Sequence, residues 1–307
     1  MPKKISIVIP VCNEKGNIPT MVKALQEVMY PLPYTYTITY IDDGSDDDTL
    51  DRIKIFAKQY ENIFFISFSR NFGHQNALKA GFDFSDGDAV ITMDGDLQHP
   101  PELIPILIEQ WEQGNDIVYT IRNDHQEMPL MKRKTSTLFY NILNRLSDIE
   151  LESGTADFRL MDKRVVEIFR GFKEADLFWR GLVKWLGFKQ VGIEYEPAER
   201  KEGKSKYTYK KMMQLALRGI TSFSLKPLAI ATYLGFTFSL LSLLYIPYVI
   251  YSLAFGHPIS GWASMIVTIA FFGGLQLMIL GIIGMYLGKL FMQSKERPHY
   301  IIKESNL

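Results

Sequence analysis

Between Pro227 and Gly288 the chain carries no Lys, Arg, Asp or Glu. Inside that stretch, Leu228 to Phe255 and Pro258 to Gly288 are apolar runs of 28 and 31 residues. Each exceeds the ~20 residues with which an α-helix crosses a bilayer. Pro247 and the Gly273-Gly274 pair are tolerable inside such helices. A buried hairpin of a soluble protein is the competing reading, and uncharged runs of this length disfavour it. Two transmembrane helices are therefore expected over 227–291. Arg218 and Lys226 precede the first, Lys289, Lys295 and Arg297 follow the second, and the Gly256-His257 turn has neither Lys nor Arg. By the positive-inside rule both termini are expected in the cytoplasm, at a multi-pass position in the cell (inner) membrane.

The rest of the chain holds all the charge, and holds it unevenly. The total is 34 basic and 34 acidic residues in 307. Asp42 to Asp48 contains five aspartates, whereas Arg200 to Lys226 contains eight Lys or Arg against the single acid Glu202. A chain of this length exceeds what one core usually supports, so a second unit, 1–207, is expected to carry the chemistry. The lone cysteine, Cys12, excludes an intramolecular disulfide and any multi-cysteine metal site, and is expected to be buried and inert. The apolar stretch of MPKKISIVIPVCNE is too short for a signal-peptide core.

Within 1–120, short runs rich in Ile, Val, Phe and Tyr alternate with helical spacing. Ile5 to Pro10, Tyr36 to Ile41, Ile63 to Phe68 and Ala89 to Met93 read as strands. Asn17 to Val28, Thr49 to Lys58, Gln75 to Phe84 and Glu102 to Gln113 read as helices with N-terminal caps. The alternation predicts an α/β fold with a doubly wound, mostly parallel sheet, whose ligands bind beyond the carboxyl ends of the strands. Asp42-Asp43 follows the second strand, and Asp94-Gly95-Asp96 the fourth. Two further segments are basic and amphipathic: Leu130 to Leu146, and Thr208 to Phe223, which leads into the first apolar run. Such helices lie in a membrane interface or pack as ordinary surface helices. The interface is favoured for the second, which places a juxtamembrane helix at 208–226.

The chemistry begins with Asp94 and Asp96. Two carboxylates at a strand tip, separated by a residue without a side chain, can face a hard divalent cation on a diphosphate. Mg²⁺ or Mn²⁺ suits such a site, because it takes one or two carboxylates plus substrate phosphates. Asp46 to Asp48 are expected to cap the following helix, while Asp42 and Asp43 point to the ligand. His74 and His99 lie near these motifs and are read as structural.

The motifs run IPVCNE, YIDDGSDDDT, FSRNFGHQNA, TMDGDLQHPPE, GTADFRLMD and ERKEGKSKYTY. In order and spacing the chain resembles the inverting family 2 glycosyltransferases of the GT-A fold, in particular the polyprenyl-phosphate branch. That branch includes bactoprenol glucosyltransferases and dolichol-phosphate mannose synthases, and the resemblance covers essentially the whole chain. It implies that Pro10, Glu14 and Asp43 contact the nucleoside with support from Asp42. It implies that Asp94 and Asp96 hold metal and diphosphate, and that Gln98 lines the sugar site. Asp157 would face the acceptor phosphate or the sugar, as an orienting group or a base. Arg200 and Lys206 would close over the donor phosphates; the glycine and serine between them suit a mobile loop.

The implied partners are a UDP-sugar donor, a polyprenyl phosphate acceptor and the membrane. No nucleic-acid partner is expected, and homo-oligomerisation is left open. A lipid phosphate, largely dianionic at neutral pH, is already a nucleophile and needs cationic positioning more than a base. Arg122, Lys132 and Arg133 are the residues expected to supply it. The stretch DLFWRGL lacks the QxxRW motif of processive synthases, so transfer of one sugar is expected, with glucose ahead of N-acetylglucosamine. Two other readings compete: a tethered transferase with a different acceptor, and a catalytically silent two-span scaffold. The tail, 292–307, is read as basic and cytoplasmic.

Overall fold

The computed structural model describes residues 2–122, 154–196, 219–255 and 261–307, with Arg145, Ser147 and Glu152. Four expected strands are present: β1 (Lys4–Val11), β2 (Thr35–Asp42), β3 (Ile63–Phe68) and β4 (Ala89–Thr92). Between and after them run α1 (Ile18–Met29), α2 (Thr49–Gln59), α3 (His74–Phe84) and α4 (Ile104–Glu112). The chain then adds β5 (Ile117–Arg122), β6 (Thr155–Asp162), α5 (Lys163–Arg170), α6 (Trp179–Trp185) and β7 (Gln190–Tyr195).

These strands join one eight-stranded sheet in the order β7-β5-β6-β4-β1-β2-β3-β8, where β8 is Ile302–Ser305. The centre is parallel: β1 pairs with both β2 and β4, and β2 with β3. The sheet is mixed beyond it, because β6 runs antiparallel between β4 and β5. Alternation along β1 sends Ile5, Ile7, Ile9 and Val11 to one face, against Leu25 of α1 and Leu107 of α4. Val8 goes to the other, against Ala77 of α3, Val165 of α5 and Trp179 of α6. Helices on both faces make this the doubly wound α/β fold that the strand and helix alternation predicts.

The apolar runs form α7 (Lys226–Phe255) and α8 (Trp262–Ser294). Among the described residues one helix segment, Ser264–Ser294, is long and apolar enough to cross a membrane, with a mean hydropathy of 2.3. The two helices pack on each other through Phe238, whose ring lies 5.7 Å from those of Phe271 and Phe272. After α8 the chain does not trail away as a simple basic tail. It returns to the sheet, where β8 pairs antiparallel with β3. Tyr300 stacks on Phe68 with ring centroids 5.1 Å apart, and its hydroxyl donates to Asp83 at 2.8 Å. Asn306 Oδ1 accepts from the Phe65 amide at 2.6 Å. The helix from Leu130 to Leu146 and most of that from Thr208 to Phe223 lie outside the described residues.

Candidate active site

An open cleft of about 810 Å³ lies across the carboxyl ends of β1 and β4, where ligands of doubly wound sheets bind. Its floor is Asp94-Gly95-Asp96, which follows β4 directly. The glycine is required by packing: a Cβ at residue 95 would sit 2.6 Å from Val11 Cγ1. The chain then turns sharply, with Leu97 in the left-handed region at φ 62°. That turn presents both carboxylates; the Asp94 side chain is 36% exposed, and Asp96 Oδ1 accepts from the Gln98 amide at 3.1 Å. His99 packs on Phe158 and its Nδ1 accepts from the Asp94 amide at 3.0 Å, which fixes the turn from behind.

One wall comes from the β1 and β2 ends. Pro10, Cys12, Glu14 and Asp43 all line the cleft. The Asp43 carboxylate accepts from the Phe72 and Gly73 amides at the start of α3, where Gly73 sits at φ 97°. Burial raises the Asp43 carboxyl above its ordinary value, although those two amides pull it down. Asp42 is buried and takes no part in the lining; it accepts from Ser67 Oγ at 2.7 Å and from the Ser45 amide. The helix after it is capped by Asp47, which accepts from the Thr49 amide, rather than by a side-chain bond from Asp48.

The opposite wall is a cluster around Asp157, on β6. Arg159 Nη2 donates to its Oδ1 at 3.0 Å, and Arg180 Nη2 donates to its Oδ2 at 3.0 Å. His74 Nε2 lies 3.5 Å from Asp94 Oδ1 and 3.7 Å from Asp157 Oδ2, so it bridges floor and wall. Burial works against ionising Asp157, yet Arg180, His74 and Arg159 hold its carboxyl well below the ordinary range. For His74 burial again opposes the charge, and Asp94 and Asp157 outweigh it, raising the imidazole to about 9. Arg180 is set in place by its neighbour: Trp179 Nε1 donates to the Gln75 carbonyl at 2.8 Å, tying α6 to the start of α3.

The model of the family described as "Glycosyl transferase family 2" matches residues 6–169. The chain belongs to that family. It is 44% identical to a bactoprenol glucosyl transferase of Shigella phage SfV, over 98% of each chain. It is 42% identical to an uncharacterised glycosyltransferase of Bacillus subtilis, over 98% of this chain and 93% of that one. A mannosyltransferase from Pyrobaculum calidifontis, solved in complex with GDP-Man and Mn²⁺, shares the fold with a TM-score of 0.51. There the identity is 13%, over 96% of this chain and 87% of that one.

The protein is thus a glycosyltransferase, and its cleft gathers six of the residues singled out in the sequence: Pro10, Glu14, Asp43, Asp94, Asp96 and Asp157. Gln98 and Arg122 are placed beside it, not in its lining; Arg122 Nη1 donates to Gln98 Oε1 at 3.2 Å. Lys132, Arg133, Arg200 and Lys206 lie outside the described residues. Among the described residues no group of three or more His, Cys, Asp or Glu forms a metal cage. Asp94 and Asp96, half-exposed at an open strand tip, fit a Mg²⁺ or Mn²⁺ ion that completes its shell from substrate phosphates.

Two expectations are corrected here. Cys12 is exposed on the cleft wall instead of buried, with its thiol above the ordinary range through desolvation and nearby carboxylates. His74, read as structural, lines the cleft 3.5 Å from Asp94, whereas His99 is buried and hydrogen-bonded behind the turn as that reading has it. Arg159 and Arg180 had not been singled out at all. A signal for Arg159 existed, since a charge inside the strand TADFRLMD is rarely buried without a partner. Arg180 had none, because it reaches Asp157 only once α6 has docked.

Proposed function

We propose that this glycosyltransferase moves one sugar, glucose ahead of N-acetylglucosamine, from a UDP-sugar to undecaprenyl or another polyprenyl phosphate at the cytoplasmic membrane face. The observation that carries the reading is the cleft itself: its floor presents Asp94 and Asp96 to a diphosphate, and its outer rim is tied to a membrane-length helix. The name of the Shigella phage relative supports the bactoprenol acceptor and the glucosyl group. Pro10, Glu14 and Asp43 serve the nucleoside, and Asp42 braces Asp43 from within the sheet. Arg200 and Lys206 are proposed to close over the donor phosphates.

Asp94 and Asp96 would hold a divalent cation, which when bound would neutralise charge on the departing nucleoside diphosphate. The acceptor's phosphate oxygen forms the new bond to the anomeric carbon as the bond from that carbon to the diphosphate breaks. The electron pair leaves with the UDP. One in-line displacement inverts the anomeric centre, and no proton has to move. Asp157 suits this account: pinned between two guanidiniums, it orients them and is a poor proton acceptor.

A two-span topology fits this reading, with units at 1–207, 208–226 and 227–291, and with the 292–307 segment returning to the catalytic sheet through β8. Lys226 Nζ, at the start of α7, donates to the Ser147 carbonyl at 2.9 Å, and β8 after α8 belongs to the catalytic sheet. Chain entry and exit therefore lie on the catalytic side of the apolar helices. A reporter fused after Leu307 is expected on the cytoplasmic side, and one inserted at Gly256-His257 on the far side. A C-terminal reporter on the far side sinks this topology.

The function is tested by supplying lipid extract and labelled UDP-glucose to the purified chain, with and without chelator. Label in the organic phase that disappears with chelator is the expected result. Label in protein or aqueous product points to another acceptor, and no turnover across a panel of nucleotide-sugars points to a silent scaffold.

A further inference from the structure

The end of the chain reaches the cleft wall through one loop. After α8 the chain runs back along β3, and the Ile301 carbonyl accepts from the Ser69 amide at 2.9 Å, one residue past the end of that strand. From Ser69 to Gly73 the backbone is neither helix nor strand, and this loop then opens α3. Its far end is held by Asp43, because the Phe72 and Gly73 amides donate to that carboxylate at 2.6 and 2.9 Å. Between the two ends, Asn71 Nδ2 donates to Cys12 Sγ at 3.3 Å. The turn after β2 meets the same loop backbone to backbone. Gly44 sits there at φ 63°, and a Cβ on it would lie 2.4 Å from the Arg70 carbonyl carbon. The loop is clasped between the tail on one side and Asp43 and Cys12 on the other.

Within that clasp the side chains form one aromatic column. Tyr300 stacks on Phe68 with centroids 5.1 Å apart and planes 12° from parallel. Phe68 is buried, and it meets Phe72 edge-on at 5.8 Å. Phe72 lines the cleft, with the Arg70 guanidinium 4.0 Å from its ring centroid. Tyr300 is thus the outer end of a column whose inner end stands in the cleft. It is itself fixed. Its hydroxyl donates to Asp83, and Asp83 pairs with the buried Lys79, whose Nζ also donates to the Arg170 carbonyl at 2.9 Å. Interiors packed this closely transmit a displacement instead of absorbing it. Removing the Tyr300 ring uncovers Phe68 and loosens the support beneath Phe72. With Phe72 go the two amides that orient Asp43.

We propose that Tyr300 is a positioning residue for the donor: through Phe68 and Phe72 it holds the Ser69–Gly73 loop, and with it the Asp43 carboxylate, in place for a nucleoside diphosphate. The proposal rests on the reading above that Asp43 serves the nucleoside. It adds that a segment beyond the second apolar helix completes that site.

The test uses the full chain in detergent, with UDP and Mn²⁺ as the calorimetric probe and undecaprenyl phosphate as the kinetic one. Tyr300→Leu is expected to weaken UDP binding roughly fivefold, the scale of one aromatic pair. The KM for undecaprenyl phosphate at saturating UDP-glucose should change less than about twofold. Tyr300→Phe keeps the stack and loses only the hydroxyl, so it should stay within about twofold of the wild type in both. Hydrogen exchange gives a readout that a weakened fold does not imitate. In Tyr300→Leu, peptides covering 69–76 should exchange faster while those covering β1 and β4 keep wild-type rates. If Tyr300→Leu does not fold, Tyr300→Met takes its place and is read the same way. Uniform acceleration across the sheet, with UDP affinity and acceptor KM worsening together, would mean that the tail only stabilises the fold, and overturns the proposal. Equal losses in the Leu and Phe variants put the effect in the hydroxyl instead of the column and overturn it too. If the wild type turns over no lipid acceptor, UDP affinity and exchange decide alone. If the wild type binds no UDP, the donor reading falls and this assignment falls with it. UDP bound equally by the wild type and Tyr300→Leu sinks the Tyr300 assignment alone.

Discussion

The two carboxylate sets of the cleft live in opposite surroundings. Asp94 and Asp96 stand on a turn at the tip of β4, half-exposed, with the His74 imidazole 3.5 Å from Asp94. Asp157 is buried on the neighbouring strand and gripped by Arg159 and Arg180. The first set keeps its charge directed at the cleft, available to a metal and a diphosphate. The second spends its charge on two guanidiniums and presents one of them to the cleft. Sequence alone cannot tell these apart, since each is an aspartate after a strand or within one. The environment assigns the role.

The largest expected effect comes from exchanging each carboxylate for its amide. Asp96→Asn should lower turnover by at least about 10²-fold, on the scale of one lost transition-state charge contact. Its folding stability should change by only on the order of 0.5 kcal/mol, as for a half-exposed position whose bond from the Gln98 amide an asparagine oxygen can keep. Asp157→Asn should do something different. It leaves Arg159 buried without its counter-charge, and removing one partner of a buried pair typically costs roughly 3–5 kcal/mol. Thermal unfolding in detergent beside initial rates separates the two. If Asp157→Asn melts with the wild type while Asp96→Asn unfolds, the division of roles drawn here is wrong.

What the sequence made legible follows the same division. Strands β1 to β4 and helices α1 to α4 are readable because each carries its own periodicity. The motif carboxylates follow, since the doubly wound fold sends strand ends to a common edge. The residues that were missed depend on pairings between distant segments. Arg180 meets Asp157 across 23 positions, and Gln293 meets Ala175 across 118. Strand β8 was hidden for a related reason. Its sequence, IKES, has almost no apolar alternation, since it lies at an edge with its residues mostly exposed. It is held by backbone pairing to β3 and by Tyr300 and Asn306, signals that appear only after folding. His74 was within reach: a histidine immediately after Gly73 and opening α3, past the end of β3, sits where such sheets bind ligands.

His74 lies within 4 Å of both Asp94 and Asp157, so it offers the finest and smallest test of the contrast. Burial alone would lower its pKa, but Asp94 and Asp157 raise it to about 9, from an ordinary value near 6.5. A group whose folded pKa lies above its unfolded one stabilises the fold fully below the unfolded value. That contribution is lost as pH rises through the folded pKa. With chelator present, the unfolding midpoint of the wild type should therefore decline between about pH 6.5 and 9. His74→Gln should show less of this decline. The side chain is 39% exposed, so solvent screening keeps the effect modest. Saturating Mn²⁺ should flatten the wild-type slope further, because a cation on Asp94 competes with the imidazolium for the same oxygen, while Asp157 stays with its arginines. Parallel pH curves for wild type and His74→Gln, with and without Mn²⁺, would show that His74 senses neither carboxylate set.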